Sequence, residues 1–370
     1  MGPGMGPGRS PTDSRARSFE KPIGRRMLQF KRALSRSAMT GPWGGRLEPE
    51  GRKIALFGAA GAIGQSVAAT LRKAGSPYRV VGRSKAPLTQ AFGHDPLAEI
   101  VAWNPDDPES VRAAARGIST IVYLVGVNYW QFDLHPQLMA KILAGATAEG
   151  VERLLLIGTI YPYGRARTER VREDHPREPH TFKGRMRKAQ EDLLLEADAA
   201  GRIKGCVLRL PDFYGPDVDK SFLHTAFVAA TQGGVANMIG PLDKPHEFVF
   251  VPDVGPVVAR LIETPLAWGR VFHLAGAGVT SQQAMVDEMA RQVGRPVKVR
   301  AAGKWLLRVL GLFNPLMREM VEMHYLLTEP VIMDDSALQG LIGPIAKTDY
   351  PEGVRQTLAA MRQTAGSVSS

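Results

Sequence analysis

Lys53-Ile54-Ala55-Leu56-Phe57 runs directly into Gly58-Ala59-Ala60-Gly61-Ala62-Ile63-Gly64. The first five residues form a short apolar run of the kind that makes a buried strand. An Ala-rich stretch from Gln65 to Lys73 follows at helical spacing. Tyr78-Arg79-Val80-Val81 then reads as a second strand, ending at Gly82-Arg83-Ser84. Strand, glycine turn, helix and strand within about thirty residues make one βαβ unit. Gly58 lets the chain leave the strand tightly, Gly61 lets a pyrophosphate come close to the backbone, and Gly64 lets the helix pack closely on the sheet. The N–H groups heading the helix, at Ala62, Ile63 and Gly64, then face the phosphates. The spacing is G-x-x-G-x-x-G, not G-x-G-x-x-G. A glycine-rich turn alone also marks ordinary loops, but placed between a strand and a helix it predicts dinucleotide binding.

The same alternation continues downstream. A short strand falls near Glu99 to Trp103, a helix from Asp107 to about Arg116, and a strand over Ile121–Val125. Gln137–Glu149 is a helix with Gly150 placed to cap it. Arg153–Ile157 is a strand, Arg185–Ala200 a long helix, and Cys206–Leu210 a strand. This order predicts an α/β protein, a doubly wound parallel sheet of the Rossmann type with helices on both faces. Ligands on such sheets lie beyond the C-terminal ends of the strands, where Gly58, Arg83, Val125, Thr159 and Pro211 fall. After Pro216 the alternation weakens. Phe222–Gln232 reads as a helix, Glu247–Val251 and Val271–Leu274 as strands, and Ser281 as the N-cap of a helix to Val293. We therefore expect a disordered basic tail over 1–50 and a Rossmann core over 51–216. A smaller mixed α/β substrate-binding part over 217–362 is interleaved with the sheet, and residues 363–370 form a disordered tail.

Charge and cysteine usage exclude several classes. Of the net charge of +11, residues 1–50 supply +6, from ten Lys/Arg and four Asp/Glu, and the remaining 320 residues only +5. No dense basic stripe interleaved with aromatics occurs in the folded part, which argues against a nucleic-acid partner. Cys206 is the single cysteine, so no internal disulfide exists, and a cytoplasmic location fits. Lys304–Leu327 is unusually apolar, yet Gly311, Pro315 and charges interrupt it, so it is no transmembrane span. It suits a membrane surface, a pocket cover, a subunit contact or ordinary packing. His135, His224, His246 and His273 show no spacing for a metal.

The order of motifs resembles the NAD-dependent epimerase/dehydratase family, the extended branch of the short-chain dehydrogenase/reductase superfamily. The resemblance rests on Gly58-x-x-Gly61-x-x-Gly64, Asp107-Pro108-Glu109-Ser110, Val122–Gly126, Gly150–Thr159, Arg209–Pro216 and Phe250–Val254. It implies a cofactor site at Gly58, Gly61, Ala62, Ile63, Gly64, Arg83, Ser84, Asn104, Val125, Gly126, Thr159, Lys183, Pro211, Asp212 and Phe213. Asn104 stands where the family often has an adenine-contacting Asp. Asp212 and Phe213 follow the sixth strand, where the family meets the nicotinamide amide. A carboxylate at the end of the second strand would favour NAD. This chain has Arg83 and Ser84 instead, so NADP(H) is favoured over NAD(H).

The family's acid–base set is a Ser or Thr with Tyr-x-x-x-Lys. Thr159 matches the Ser/Thr. No Tyr-x-x-x-Lys follows it, and alignment on Glu191 places Lys183 at the Tyr position and Arg187 at the Lys position. Three readings stay open. Lys183 donates the proton, its pKa lowered by Arg187 and the nicotinamide charge. Tyr161 or Tyr163, close to Thr159, takes the role. Or the site binds cofactor without turning it over. The resemblance thus implies an NAD(P)-dependent oxidoreductase or epimerase acting at a hydroxyl or carbonyl carbon of a sugar nucleotide or other secondary alcohol. The alternative is a catalytically weak dinucleotide-binding sensor. Family members commonly form homodimers through helices of the Rossmann domain. Asp174 and His175 are further candidates to border the substrate, and Asp253 is expected to cap a helix from Val254.

Overall fold

The computed structural model describes residues 1–2 and 53–368, with side chains to residue 363. The expected basic tail over 1–50 lies outside these residues. Eleven described strands and thirteen described helices follow in chain order. The first half alternates strictly: β1 (Ile54–Phe57), α1 (Ala62–Lys73), β2 (Tyr78–Gly82), α2 (Lys85–Phe92), β3 (Ala98–Ala102), α3 (Pro108–Ala115), β4 (Thr120–Tyr123), α4 (Leu134–Ala148), β5 (Arg153–Thr159), α5 (Phe182–Ala199) and β6 (Lys204–Leu210). Then come β7 (Asp212–Tyr214), α6 (His224–Gln232), β8 (Val235–Ile239), β9 (Phe248–Phe250), α7 (Val251–Glu263), β10 (Arg270–His273), α8 (Gln282–Val293) and β11 (Lys298–Ala302). The chain ends with α9 (Lys304–Leu310), α10 (Pro315–Met323), α11 (Tyr325–Thr328), α12 (Ser336–Ile342) and α13 (Tyr350–Val368). Helix α13 thus runs past residue 363, where the sequence suggested a tail.

Seven strands form one parallel sheet in the order β10-β6-β5-β4-β1-β2-β3. The strand order reverses between β1 and β4, which is where such sheets open a ligand crevice. Side chains alternate across the strands. Ile54 and Leu56 face a core with Val67, Leu71, Val254 and Val258, from α1 and α7. Ala55 and Phe57 face the opposite core with Val111, Met139, Ile142 and Leu194, from α3, α4 and α5. Both faces are therefore covered, as continuous apolar strands require.

Two glycines set the spacing on the first face. A Cβ on Gly64 would stand 2.4 Å from the Ala59 carbonyl oxygen, and one on Gly255 2.3 Å from the Ser66 carbonyl oxygen. The sequence pattern pointed to the first; nothing pointed to the second. Helix α7 begins at Val251, ahead of the expected start, so Asp253 does not cap it. Its carboxylate instead accepts from the backbone N–H and the hydroxyl of Thr348, both at 2.8 Å. Ser281 does cap α8, accepting from Ala284 N–H at 3.0 Å.

The remaining elements form two smaller clusters. One gathers Tyr214, Phe227, Met238, Phe248, Met285 and Leu358. The other lies over the C-terminal edge of the sheet and joins Phe132, Ile160, Tyr161, Tyr163, Leu307, Met320, Met323 and Tyr325. Glu247 is buried nearby, and its carboxylate accepts from Met333 N–H at 3.0 Å. Burial pushes its pKa up to about 7. The folded state therefore holds this proton more tightly than the unfolded chain, and stability falls as pH rises through the window between the ordinary carboxyl value and 7. In chemical denaturation between pH 5 and 8, Glu247→Gln should gain on the wild type by up to about 3 kcal/mol as pH increases. Parallel pH profiles for the two proteins would show that Glu247 is not the source.

Candidate active site

The nucleotide end of the site is built by the first glycine turn. Gly58 has φ +89°, and a Cβ there would lie 2.8 Å from the Leu124 carbonyl carbon. Its N–H donates to the Val81 carbonyl at 2.9 Å, which ties the turn to β2. Helix α1 starts at Gly61 with no side-chain cap and no acid in its first turn. By contrast, α3, α5, α8 and α10 are capped by Asp107, Thr181, Ser281 and Asn314. A Cβ on Gly61 would meet no protein atom nearer than the Gly58 carbonyl oxygen, at 3.6 Å. Packing within the protein therefore does not demand glycine there. A phosphate on the uncapped Ala62, Ile63 and Gly64 N–H groups would, so the turn fits a dinucleotide.

Arg83 and Ser84 are exposed at the end of β2, and Ser84 leaves α2 without a side-chain hydrogen bond. Asn104 shapes its own turn: its carboxamide oxygen accepts from Asp106 N–H at 3.0 Å, and its backbone N–H donates to Ser110. Val125 and Gly126 follow β4, and a Cβ on Gly126 would meet nothing within 4 Å.

The chemical end gathers where β5 and β6 stop. Thr159 closes β5, and its hydroxyl accepts from Tyr161 N–H at 3.4 Å. The Tyr161 hydroxyl lies 3.5 Å from that of Tyr129. Burial, with Tyr129 and Asp212 adding to it, raises the Tyr161 pKa well above the ordinary phenol value. Pro211 is buried after β6 and Phe213 lies in β7. The Asp212 carboxylate accepts from His246 Nε2 at 2.6 Å. A cleft of about 470 Å³ is lined by Pro245, Arg170, Glu169, Val279 and Ile332, and none of Thr159, Tyr161, Lys183 or Asp212 lines it.

Lys183 and Arg187 are both buried, and their surroundings differ from those expected. Thr181 caps α5, so the helix starts at Phe182 and not at Arg185, with Lys183 in its first turn. The Lys183 side chain is 0% exposed. Its ammonium donates to Glu322 at 2.7 Å and to Glu319, both from α10, and stands 5.7 Å from the centre of the Phe132 ring. Its backbone N–H also donates to Glu322, at 2.8 Å. Among the described residues, two carboxylates are the ion-pair partners of its ammonium. Arg187 turns inward. It donates to Gln190 at 2.7 Å, to the Ile157 carbonyl at 3.0 Å and to His135 Nδ1 at 3.2 Å. Burial, then the Arg187 charge, pushes the His135 pKa down to about 2, so the imidazole is a neutral acceptor.

Tyr163 is occupied elsewhere. Arg209 donates to its hydroxyl, which also lies 2.5 Å from His273 Nε2 and 3.2 Å from the Arg172 carbonyl. Burial and the Arg209 charge push the His273 pKa down to about 4. The neutral ring donates from Nδ1 to the Asp334 carbonyl at 3.0 Å, leaving Nε2 to accept from Tyr163. Arg209 pairs with buried Glu191, 2.6 Å away. His175 uses both ring nitrogens inside its own loop, on Arg167 N–H and the Pro176 carbonyl. Thr159, Tyr161 and Asp212 thus lie near one another, Arg187 reaches the same strand end through the Ile157 carbonyl, and Lys183, Tyr163 and His175 are engaged with other partners.

The match to a family model for the NAD dependent epimerase/dehydratase family covers residues 54–275. The chain belongs to that family. A dTDP-6-deoxy-L-talose 4-dehydrogenase (NAD(P)(+)) from Kitasatospora kifunensis is 28% identical over 171 residues, 44% of this chain and 53% of that protein. The chain thus spans about half the length of this relative. Among solved structures, a UDP-glucuronic acid 4-epimerase from Bacillus cereus, in complex with UDP-glucuronic acid and NAD, has a TM-score of 0.71. It is 15% identical, over 84% of this chain and 99% of the other. A dTDP-glucose 4,6-dehydratase from Bacillus anthracis in complex with NAD has a TM-score of 0.72 at 13% identity, over 85% and 98%. These likenesses establish the shared fold.

Three participants were not readable from the sequence. His246 lies 34 positions from Asp212, and Glu319 and Glu322 lie 136 and 139 from Lys183. The two acids, three apart in an otherwise apolar stretch, were the single visible trace. Replacing both, as Glu319→Gln/Glu322→Gln, leaves a buried ammonium without a counter-charge. We expect a loss of about 3 to 5 kcal/mol in urea unfolding. A loss under about 1 kcal/mol would mean that the carboxylates are not what holds Lys183.

Proposed function

We propose that this protein is an NADP(H)-dependent reductase or epimerase acting at a carbonyl or hydroxyl carbon, with Tyr161 in place of the missing Tyr-Lys pair. The observation that carries the reading is the placement of Tyr161. Two residues after Thr159, its hydroxyl has the Tyr129 hydroxyl as its hydrogen-bond neighbour and no charged one, whereas the Tyr163 hydroxyl is bound to Arg209 and His273. The chemistry a bound nicotinamide supplies is hydride transfer to or from a carbon. Thr159 holds the substrate oxygen by a hydrogen bond. Tyr161, kept neutral by burial, gives that oxygen a proton as negative charge develops.

Arg83 and Ser84 stand where a 2′-phosphate would sit, and no carboxylate competes there. The structural relatives carry NAD, so the preference for NADP(H) rests on these two residues alone. The similar proteins act on or bind sugar nucleotides by name, which supports a sugar nucleotide as the substrate. A cytoplasmic setting agrees with the lone buried thiol.

A second reading has its own support. The residues at both family acid–base positions are consumed by internal partners, as expected of a dinucleotide sensor that no longer turns over. Fluorescence titration with NADPH and NADH, followed by a substrate screen, separates the two. Arg83→Ala should weaken NADPH at least about tenfold and leave NADH unchanged. Tyr161→Phe should cut turnover by about a hundredfold or more with cofactor affinity intact. Binding without turnover on any carbonyl or sugar-nucleotide substrate selects the sensor, and no binding of either dinucleotide sinks both readings.

A further inference from the structure

The corner joining α9 and α10 presents large apolar side chains to the outside. Trp305 is 74% exposed, Leu312 78% and Phe313 86%, and Leu306, Val309, Leu310 and Leu316 are exposed too. Of the neighbouring apolar residues, Leu307 alone is fully buried. Single exposed apolar residues need no explanation, but a contiguous set marks a contact surface. The corner is also built, not slack. A Cβ on Gly311 would lie 2.9 Å from Arg318 Cα, so the two helices meet closely at this glycine. Asn314 caps α10, its carboxamide oxygen accepting from Leu316 N–H at 2.9 Å and Met317 N–H at 3.3 Å. These contacts hold Leu312 and Phe313 at the apex.

The chain running through this corner carries charge of one sign. From Lys298 to Arg318 the chain carries Lys298, Arg300, Lys304, Arg308 and Arg318, all exposed, and no Asp or Glu. Among the described residues, the one ion pair any of them makes is the long Arg318–Glu319 contact at 3.9 Å. The acids that follow, Glu319 and Glu322, turn inward onto Lys183. An apolar tip fringed by cations matches the boundary between anionic headgroups and acyl chains. A two-fold contact with a second copy would set these five cations against themselves, which such an interface disfavours. No described helix is long and apolar enough to cross a membrane, so the corner suits seating and not spanning.

We propose that the α9–α10 corner docks on an anionic phospholipid bilayer, with Trp305, Leu312 and Phe313 at the acyl boundary and Lys304, Arg308 and Arg318 among the headgroups. The test is co-sedimentation of the full chain with phosphatidylcholine vesicles, with and without phosphatidylglycerol. The full chain binds the anionic vesicles, and added salt weakens the binding. Trp305→Ser/Phe313→Ser lowers the partition coefficient at least about tenfold, and Lys304→Glu/Arg308→Glu does the same. All four positions are exposed, so thermal unfolding should not change. Equal binding by the wild type and both variants overturns the proposal and assigns the attraction to basic residues elsewhere, such as those in 1–50. Absence of vesicle binding overturns it as well. So does a dimer in sedimentation equilibrium that Trp305→Ser/Phe313→Ser dissociates while the lipid affinity of that variant stays unchanged; the corner is then a self-association surface.

Discussion

A lysine ammonium with no exposure to water must have its charge compensated by the protein. Lys183 meets this demand with Glu319 and Glu322, and the arrangement over the ligand edge of the sheet follows from it. Helix α5 is fixed in the doubly wound core, so α10 has to come to it. That draws Met320 and Met323 onto Phe132 and Tyr161, and closes the apolar cluster above β5. Arg187, one turn further along α5, is buried by a different solution. Its charge is spread over neutral acceptors, a carbonyl, a carboxamide and an imidazole held neutral. Successive turns of one helix thus host two buried cations, one ion-paired with two acids and one hydrogen-bonded to neutral acceptors, with the Glu191 charge also supporting it.

Beneath this, Arg209 and Glu191 form the floor of the site. The guanidinium is held charged by the carboxylate and donates to Tyr163, and His273 completes the set through β10. The network joins β5, β6, β10 and α5 at the C-terminal edge of the sheet. A half-satisfied network of this kind would cost more than apolar packing. Here each of these polar groups has a partner, which makes the floor rigid while leaving Thr159 and Tyr161 above it.

The parallel sheet was readable because strands buried on both faces are continuous apolar runs, and the runs at Ile54, Tyr78, Ile121, Arg153 and Cys206 stand out from polar helices. The glycine turn was readable because Gly58 and Gly64 answer local steric demands within a few residues of themselves. Gly255 answers an equally severe demand, but from Ser66, 189 positions away, and so left no pattern. The same distinction governs the site. Thr159 and Tyr161 were found by proximity in the chain, whereas the partners of Lys183, Asp212 and Tyr163 arrive from other elements. Tyr163 looked as available as Tyr161 because nothing local distinguishes them; a rotation of two residues at the end of β5 sends one to Arg209 and the other to Tyr129.

Helix α10 is short enough that its two faces cannot act independently. Leu316 and Arg318 face outward, and Glu319 and Glu322 face Lys183, all within two turns. Sliding the helix by more than a hydrogen-bond length would break charge-assisted bonds to a buried ammonium, at a cost of roughly 3 to 5 kcal/mol. Thermal motion does not supply that. The segment is therefore a fixed cover, and a contact on its outer face would alter how Lys183 is held only by as much as it binds one position of the helix better than another.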